Sequence, residues 1–318
     1  MRLITYRQRA RGSDPRLGVL QGDRVLDVAR LTGDAALDGM LALLERGPGA
    51  MAAVAGAAAE FAQAARPAGS GYGELALPVW GVELLAPLPR PRSIRDFYAF
   101  EQHVATAHRK RGRDVPKAWY EIPVFYFGNT TNIYGPDATV PMPRGTNQLD
   151  FELELACVIG QAGRDIPAAA AWGHIAGYTI MNDWSARDVQ RQEVSVGLGP
   201  AKAKDFATSL GPALVTPDEL ADCFHDGRHD LTMVARVSGE EVSRGNAASI
   251  HWTFARMIER ASQNVELLPG DVIGSGTVGT GCLLELGEDV HPWLRPGDEV
   301  ELEIERLGRL RNRIMGDG

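Results

Sequence analysis

The strongest constraint on the fold is a series of strand-like segments after Ser93, separated by Gly, Pro, Asn and Asp and interrupted by one long helix candidate. PVFYFG, LDFELELACVIG, IAGYTIMND, PALVTP, LTMVARV, DVIGSG, CLLELG and DEVELEIER read as strands with turn residues between them. Ser249–Asn264 carries helical periodicity, with Ser249 as its cap and Ile250, Phe254, Met257 and Ile258 on the apolar face. Strands that succeed one another without helices between them do not build βαβ crossovers. The pattern therefore predicts a strand-rich α+β domain and disfavours a Rossmann fold.

Residues 1–85 read as a small α+β unit of their own. LITY, LGVL and RVLDV are strands, helices follow at Ala36–Glu45 and Ala50–Ala65, and RPAGSGYG is rich in turn residues. The proline-rich LLAPLPRPRS then marks a linker, leaving 86–318 as a second domain. A chain of 318 residues exceeds the size at which a single core keeps growing, in keeping with two domains. FYAFEQHVATAHRKRG, just past the linker, reads as a helix or lid-like loop ending in a basic cluster.

Charge and composition remove several functions. A formal net charge of −8 argues against nucleic-acid and anionic-membrane partners. The apolar stretch Gly49–Ala65 is short and broken by Glu60 and Gln63, and the start of the chain lacks a signal-peptide core, so a cytoplasmic protein is expected. Cys157, Cys223 and Cys282 lie far apart, against a disulfide framework, and Cys157 and Cys282 read as core residues. No H-E-x-x-H is present to support a zinc protease.

Several segments could carry chemistry. In LDFELELACVIG, Glu152 and Glu154 share one face of a strand, about 7 Å apart, a spacing that lets both reach one hard cation. The same alternation recurs in DEVELEIER at Glu301, Glu303 and Glu305, which reads as a solvated face, so the pattern alone favours solvent for both strands. The apolar ACVIG after Glu154 tilts the first strand toward the interior. Asp183, at the end of IAGYTIMND, fits a metal ligand or a helix cap, and taken alone a cap is the better reading. Lys202 and Lys204 lie in a Gly/Lys-rich loop without the spacing of a phosphate loop. GSGTVGTG offers either backbone N–H groups to an anion or a tight turn.

Taken in order, RDFYAFEQH, WYEIPVFYFG, LDFELELACVIG, NDWSARDVQ, GPAKAKDF, GDVIGSGT, LLELG and LRPGDEVELEIERLGRLRNRI resemble the fumarylacetoacetate hydrolase family over roughly Ile94 to Ile314. The resemblance implies a fumarylacetoacetase-like mixed β-roll catalytic domain. It places a divalent metal, magnesium first and calcium or manganese as alternatives, on Asp96, Glu152, Glu154 and Asp183. Four carboxylates on one site repel one another without a cation, which is a physical reason to expect one. His103 and Glu285 correspond to the family's water-activating dyad. Lys204, Arg187 and Gln190 correspond to groups that bind substrate oxygens; Tyr98, Arg111, Tyr126 and Thr277 to substrate contacts; Thr208 to a residue just behind the metal ligands.

The function implied is metal-dependent hydrolysis of a C–C bond in a 1,3-diketo acid, an acylpyruvate or fumarylacetoacetate-like compound of aromatic catabolism, by a homodimer. Decarboxylation, isomerisation, tautomerisation or hydration of a small 2-oxo acid is the alternative, since each relies on enolate stabilisation. Smaller relatives take their His and Glu from a local H-x-x-E, whose last position here is Thr106, and their T-G-T-P-x-G-V-G is replaced by GSGTVGTG. These departures favour the hydrolase-type dyad.

Overall fold

The computed structural model describes residues 1–9, 14–64 and 75–316; the RPAGSGYG segment lies outside them. The architecture is α+β and strand-rich, as the sequence predicts. Its backbone is a twelve-stranded sheet. From the N-terminal side the order runs Arg24–Asp27, Arg16–Gln21, Arg2–Gln8, Thr208–Val215, Ile175–Asp183, Leu153–Ile159, Asp271–Gly274, Ser93–Phe97 and Phe125–Gly128. These neighbours are antiparallel except for Asp271–Gly274 beside Ser93–Phe97, which run parallel. A second, five-stranded sheet contains Thr232–Val237, Glu240–Asn246, Glu299–Ile304, Gly308–Met315 and Thr139–Pro141.

The N-terminal strands dock on the larger sheet edge to edge, with Arg2 opposite Val215 and Leu3 opposite Leu214. One hydrophobic cluster spans both parts, packing Leu43, Leu44, Val54 and Phe61 of helices Met40–Glu45 and Gly47–Ala64 with Ala156, Val158, Met181 and Val272 of the central strands. The opposite face of those strands joins the other cluster through Leu153, Leu155, Cys157 and Ile180.

The two Glu-alternating strands separate here. Every residue of Leu153–Ile159 is buried, because it lies between two neighbours and is covered on both faces. Glu299–Ile304 alternates half-buried with buried residues, and Glu301 and Glu303 pair with Arg236 near solvent.

Three local readings are corrected. CLLELG is not a strand: Leu283–Leu286 is one helical turn with Cys282 at its N-cap. The helix expected from Ser249 begins at Phe254 with Thr253 as N-cap, and Ser249 ends a short 3₁₀ turn capped by Asn246. The N-terminal helices begin at Met40 and Gly47 rather than at Ala36 and Ala50, and the expected end at Ala65 lies outside the described residues. No helix among the described residues is long and apolar enough to cross a membrane.

Candidate active site and metal centre

Three strands of the larger sheet deliver four carboxylates to one point. Asp96 comes from Ser93–Phe97, Asp183 ends Ile175–Asp183, Glu154 lies in Leu153–Ile159 and Glu152 immediately precedes that strand, with Asp271–Gly274 between Leu153–Ile159 and Ser93–Phe97. One oxygen from each lies within 4.8 Å of the others, and all four residues are buried. The approach depends on Gly274, which pairs with Asp96 across the parallel strands. A Cβ there would meet the Asp96 Oδ1 atom at 2.5 Å and Met181 Cε at 2.3 Å. Beyond it Gly276, at φ +75°, donates its N–H to Asp96 Oδ1 and Glu154 Oε2, each at 3.2 Å. The GSGTVGTG loop thus aims backbone N–H groups at the chain's own carboxylates.

Two buried cations oppose the cluster. Lys204 Nζ donates to Glu152 Oε2 at 2.6 Å, to Ser185 Oγ at 2.9 Å and to Asp183 Oδ2. Arg187 donates to Asp150 Oδ2 at 2.8 Å, Glu152 Oε1 at 2.7 Å and Gln190 Oε1 at 3.0 Å. Burial raises the Glu152 carboxyl, but the charges of Lys204 and Arg187 outweigh that and hold it well below the usual carboxylate range. Asp96 and Glu154 lack such partners. Burial first, and then the charge of Asp183 on Asp96 and of Asp96 on Glu154, push both far upward. Burial also raises Asp183, against the pull of Lys204.

These residues fit one divalent cation. The donors are all carboxylate oxygens, the chemistry that hard cations select. The Glu154 Oε1 atom is buried without a hydrogen-bond partner, an acceptor whose desolvation nothing within the protein offsets.

Next to this centre, His103 Nδ1 lies 2.5 Å from Glu285 Oε1, with both residues buried. His103 belongs to helix Glu101–Lys110 and Glu285 to the turn Leu283–Leu286. Thr280 N–H donates to Glu285 Oε2 at 3.1 Å and fixes the carboxylate. Tyr98 packs edge-on against the imidazole at 5.2 Å. Both centres open on one cavity of about 290 Å³, lined also by Tyr98, Arg111, Tyr126, Arg187, Gln190, Lys204 and Thr277. The structure therefore brings together every site residue named from sequence. Lys202, by contrast, stands exposed and pairs with Asp205, while Thr208 sits opposite Asp183 in the strand register. Tyr126, like Lys204 and Arg187, also contacts a metal-ligand candidate: its hydroxyl donates to Asp183 Oδ2 at 2.5 Å.

Two residues that hold the site in place, and one neighbour of the dyad, escaped the sequence reading. Asp150, fully buried, accepts from Arg187 and from the N–H groups of Leu283 and Leu284 at 2.7 and 3.0 Å. Its signal was available: Asp150 precedes Glu152 and Glu154 on the same period of two. Ser185 receives Lys204, and Cys282 lies against the dyad with its Sγ 3.7 Å from Glu285 Oε1. Neither carried a motif that marks it.

A buried carboxylate cluster that fits a divalent cation lies beside a His–Glu pair, on a mixed sheet with an N-terminal extension. Residues 92–315 match the fumarylacetoacetate (FAA) hydrolase C-terminal family, and the chain belongs to that family. It is 35% identical over 240 residues to human oxaloacetate tautomerase FAHD2A, mitochondrial, covering 75% of this chain and 71% of that protein. The 5-carboxymethyl-2-hydroxymuconate delta-isomerase from Mycobacterium smegmatis shares 25% identity and a TM-score of 0.69, with 100% of each chain covered. Maleylpyruvate hydrolase from Sphingobium sp. SYK-6, solved in complex with manganese (II) ion and pyruvate, has the same fold at 23% identity and a TM-score of 0.71, again over 100% of each chain. Enzymes of this family thus include tautomerases, isomerases and hydrolases.

Proposed function

We propose that this chain moves a proton at the carbon beside the keto group of a small 2-oxo diacid, interconverting its keto and enol forms, with one divalent cation bound at Asp96, Glu152, Glu154 and Asp183. The observation that carries the reading is the opening of the His103–Glu285 pair and the carboxylate cluster on one cavity of about 290 Å³, a size suited to a small acid. The likeness to oxaloacetate tautomerases supports it, and magnesium is the cation proposed. The cation supplies Lewis acidity to the substrate carbonyl and charge compensation for the enolate.

The protein's own groups do the rest. Glu285 occupies His103 Nδ1, which leaves Nε2 to take the proton from carbon and return it. The carboxylate fixes the orientation of the ring. Arg111 and Thr277, with Gln190, offer donors to substrate carboxylates along the cavity wall, and Val124, Phe125 and Val194 supply its apolar side. Lys204 sets the charge of Glu152 and Asp183 and presents a cation where negative charge develops on the substrate.

The same pair favours a second reading, C–C hydrolysis of an acylpyruvate, in which His103 takes its proton from water. One experiment separates them. Keto–enol exchange of oxaloacetate and cleavage of acylpyruvates are followed with magnesium and after chelation. The first reading expects metal-dependent exchange without cleavage, lowered about a hundredfold or more in His103→Ala. Cleavage with no acceleration of exchange would replace it by the second reading, and wild-type rates in His103→Ala would remove the dyad from both.

A further inference from the structure

We propose that Cys282, His103 and Glu285 form a second cation site, selective for zinc or a similarly borderline-soft divalent ion, whose occupation turns the dyad off. Cys282 Sγ lies 3.7 Å from Glu285 Oε1 and 4.0 Å from His103 Nδ1, and the three donor atoms cluster within 4.8 Å. Tetrahedral zinc, with ligands at about 2.0–2.3 Å, sets neighbouring donors about 3.5 Å apart. The thiol is therefore already near its place, and only the 2.5 Å His–Glu contact has to open, by about 1 Å. Glu285 is anchored through its other oxygen by Thr280 N–H, so Oε1 stays directed at the trio. Of the trio, His103 lines the cavity, beside Thr277 and Leu284, so an ion in the cavity lies next to the imidazole.

The donor sets divide two kinds of cation. The four-carboxylate centre is all oxygen and suits magnesium. The trio offers sulfur, nitrogen and one carboxylate oxygen, a combination that magnesium leaves and zinc takes. On binding, the thiol gives up its proton to solvent and its sulfur joins the metal. The imidazole binds through Nδ1 as the tautomer protonated on Nε2, so the proton formerly on Nδ1 is carried on Nε2 and the charge of the ring is unchanged. An Nε2 that already holds a proton cannot accept another. Only this effect on turnover rests on the proton-carrier reading of His103; binding does not.

The test uses the full chain with excess magnesium holding the carboxylate centre, titrated with zinc for activity and with cobalt for its spectrum. The wild type is expected to lose activity as zinc fills one site per chain, and to show a thiolate-to-cobalt charge-transfer band in the near ultraviolet. Cys282→Ala is expected to keep magnesium-dependent turnover, lose the band and need about tenfold or more zinc, since even residues behind a metal's ligands change affinity by about that much. Cys282→Ser, close to the native shape, should also lose the band. Absence of the band in the wild type, or zinc inhibition unchanged in both variants, overturns the site. A Cys282-dependent band without inhibition upholds the site and overturns the role given to His103.

Discussion

His229 makes the stability of the fold depend on pH, in a way that can be worked through. It sits in the hairpin strand Arg228–His229, is 5% exposed, and has no hydrogen-bond partner at either ring nitrogen. Tyr178 packs on the ring at 4.4 Å and Phe224 at 4.7 Å. Burial pushes its pKa down from 6.5 to about 4. The folded state thus resists a proton that the unfolded chain accepts. Its contribution is intact above pH about 6.5, falls as the pH drops toward 4, and is gone below that. A shift of this size is worth about 3 kcal/mol in full, and about 2 kcal/mol at pH 5. In His229→Phe this dependence disappears. The variant's stability relative to wild type should therefore improve by about 2 kcal/mol between pH 7.5 and pH 5, read from urea unfolding at each pH. A packing mismatch from the new ring adds the same offset at both values and cancels in the difference. A variant-minus-wild-type difference that is the same at both pH values would refute the reasoning.

Two further outcomes follow from the site. Lys204→Met should cut turnover about a hundredfold, since it removes a buried cation from Glu152 and Asp183, whereas the exposed Lys202→Met should leave turnover unchanged in the same steady-state assay. Gly274→Ala should weaken magnesium binding and lower the melting temperature, because the new methyl group collides with Asp96 and Met181; calorimetry and thermal unfolding measure both.

Much of the fold was legible because turn residues punctuate it. Strands such as Ile175–Asp183 and Thr232–Val237 are short apolar runs between breakers. Leu283–Leu286 was not legible as a helix, since three leucines and one glutamate are too few to carry a period that distinguishes turn from strand. What decides is Asp150, 133 residues earlier, which accepts the N–H of Leu283. The two E-x-E strands show the same limit from the other side. Their alternation is similar and both strands have two neighbours, so their different surroundings come from what covers the sheet: Leu153–Ile159 is buried on both faces, while Glu299–Ile304 keeps one face near solvent. Local pattern names which side chains point together, and only tertiary neighbours say what they point at. The joint order of motifs pointed to more of the residues around the cavity than any one motif did, with Asp150, Ser185 and Cys282 left behind.

The grip of Asp150 on both Arg187 and the turn that bears Glu285 has a consequence for how this site can be altered. Arg187 in turn holds Glu152, so the acid–base pair and the carboxylate cluster are braced through a single buried carboxylate. A change that loosens one centre loosens the other, and repairs to them will not add independently. Another part of the cavity wall, at Val124, Val194, Gly199 and Pro200, makes no hydrogen bond to Asp150 among the described residues. An engineer seeking a new substrate would vary that wall and leave the braced half untouched.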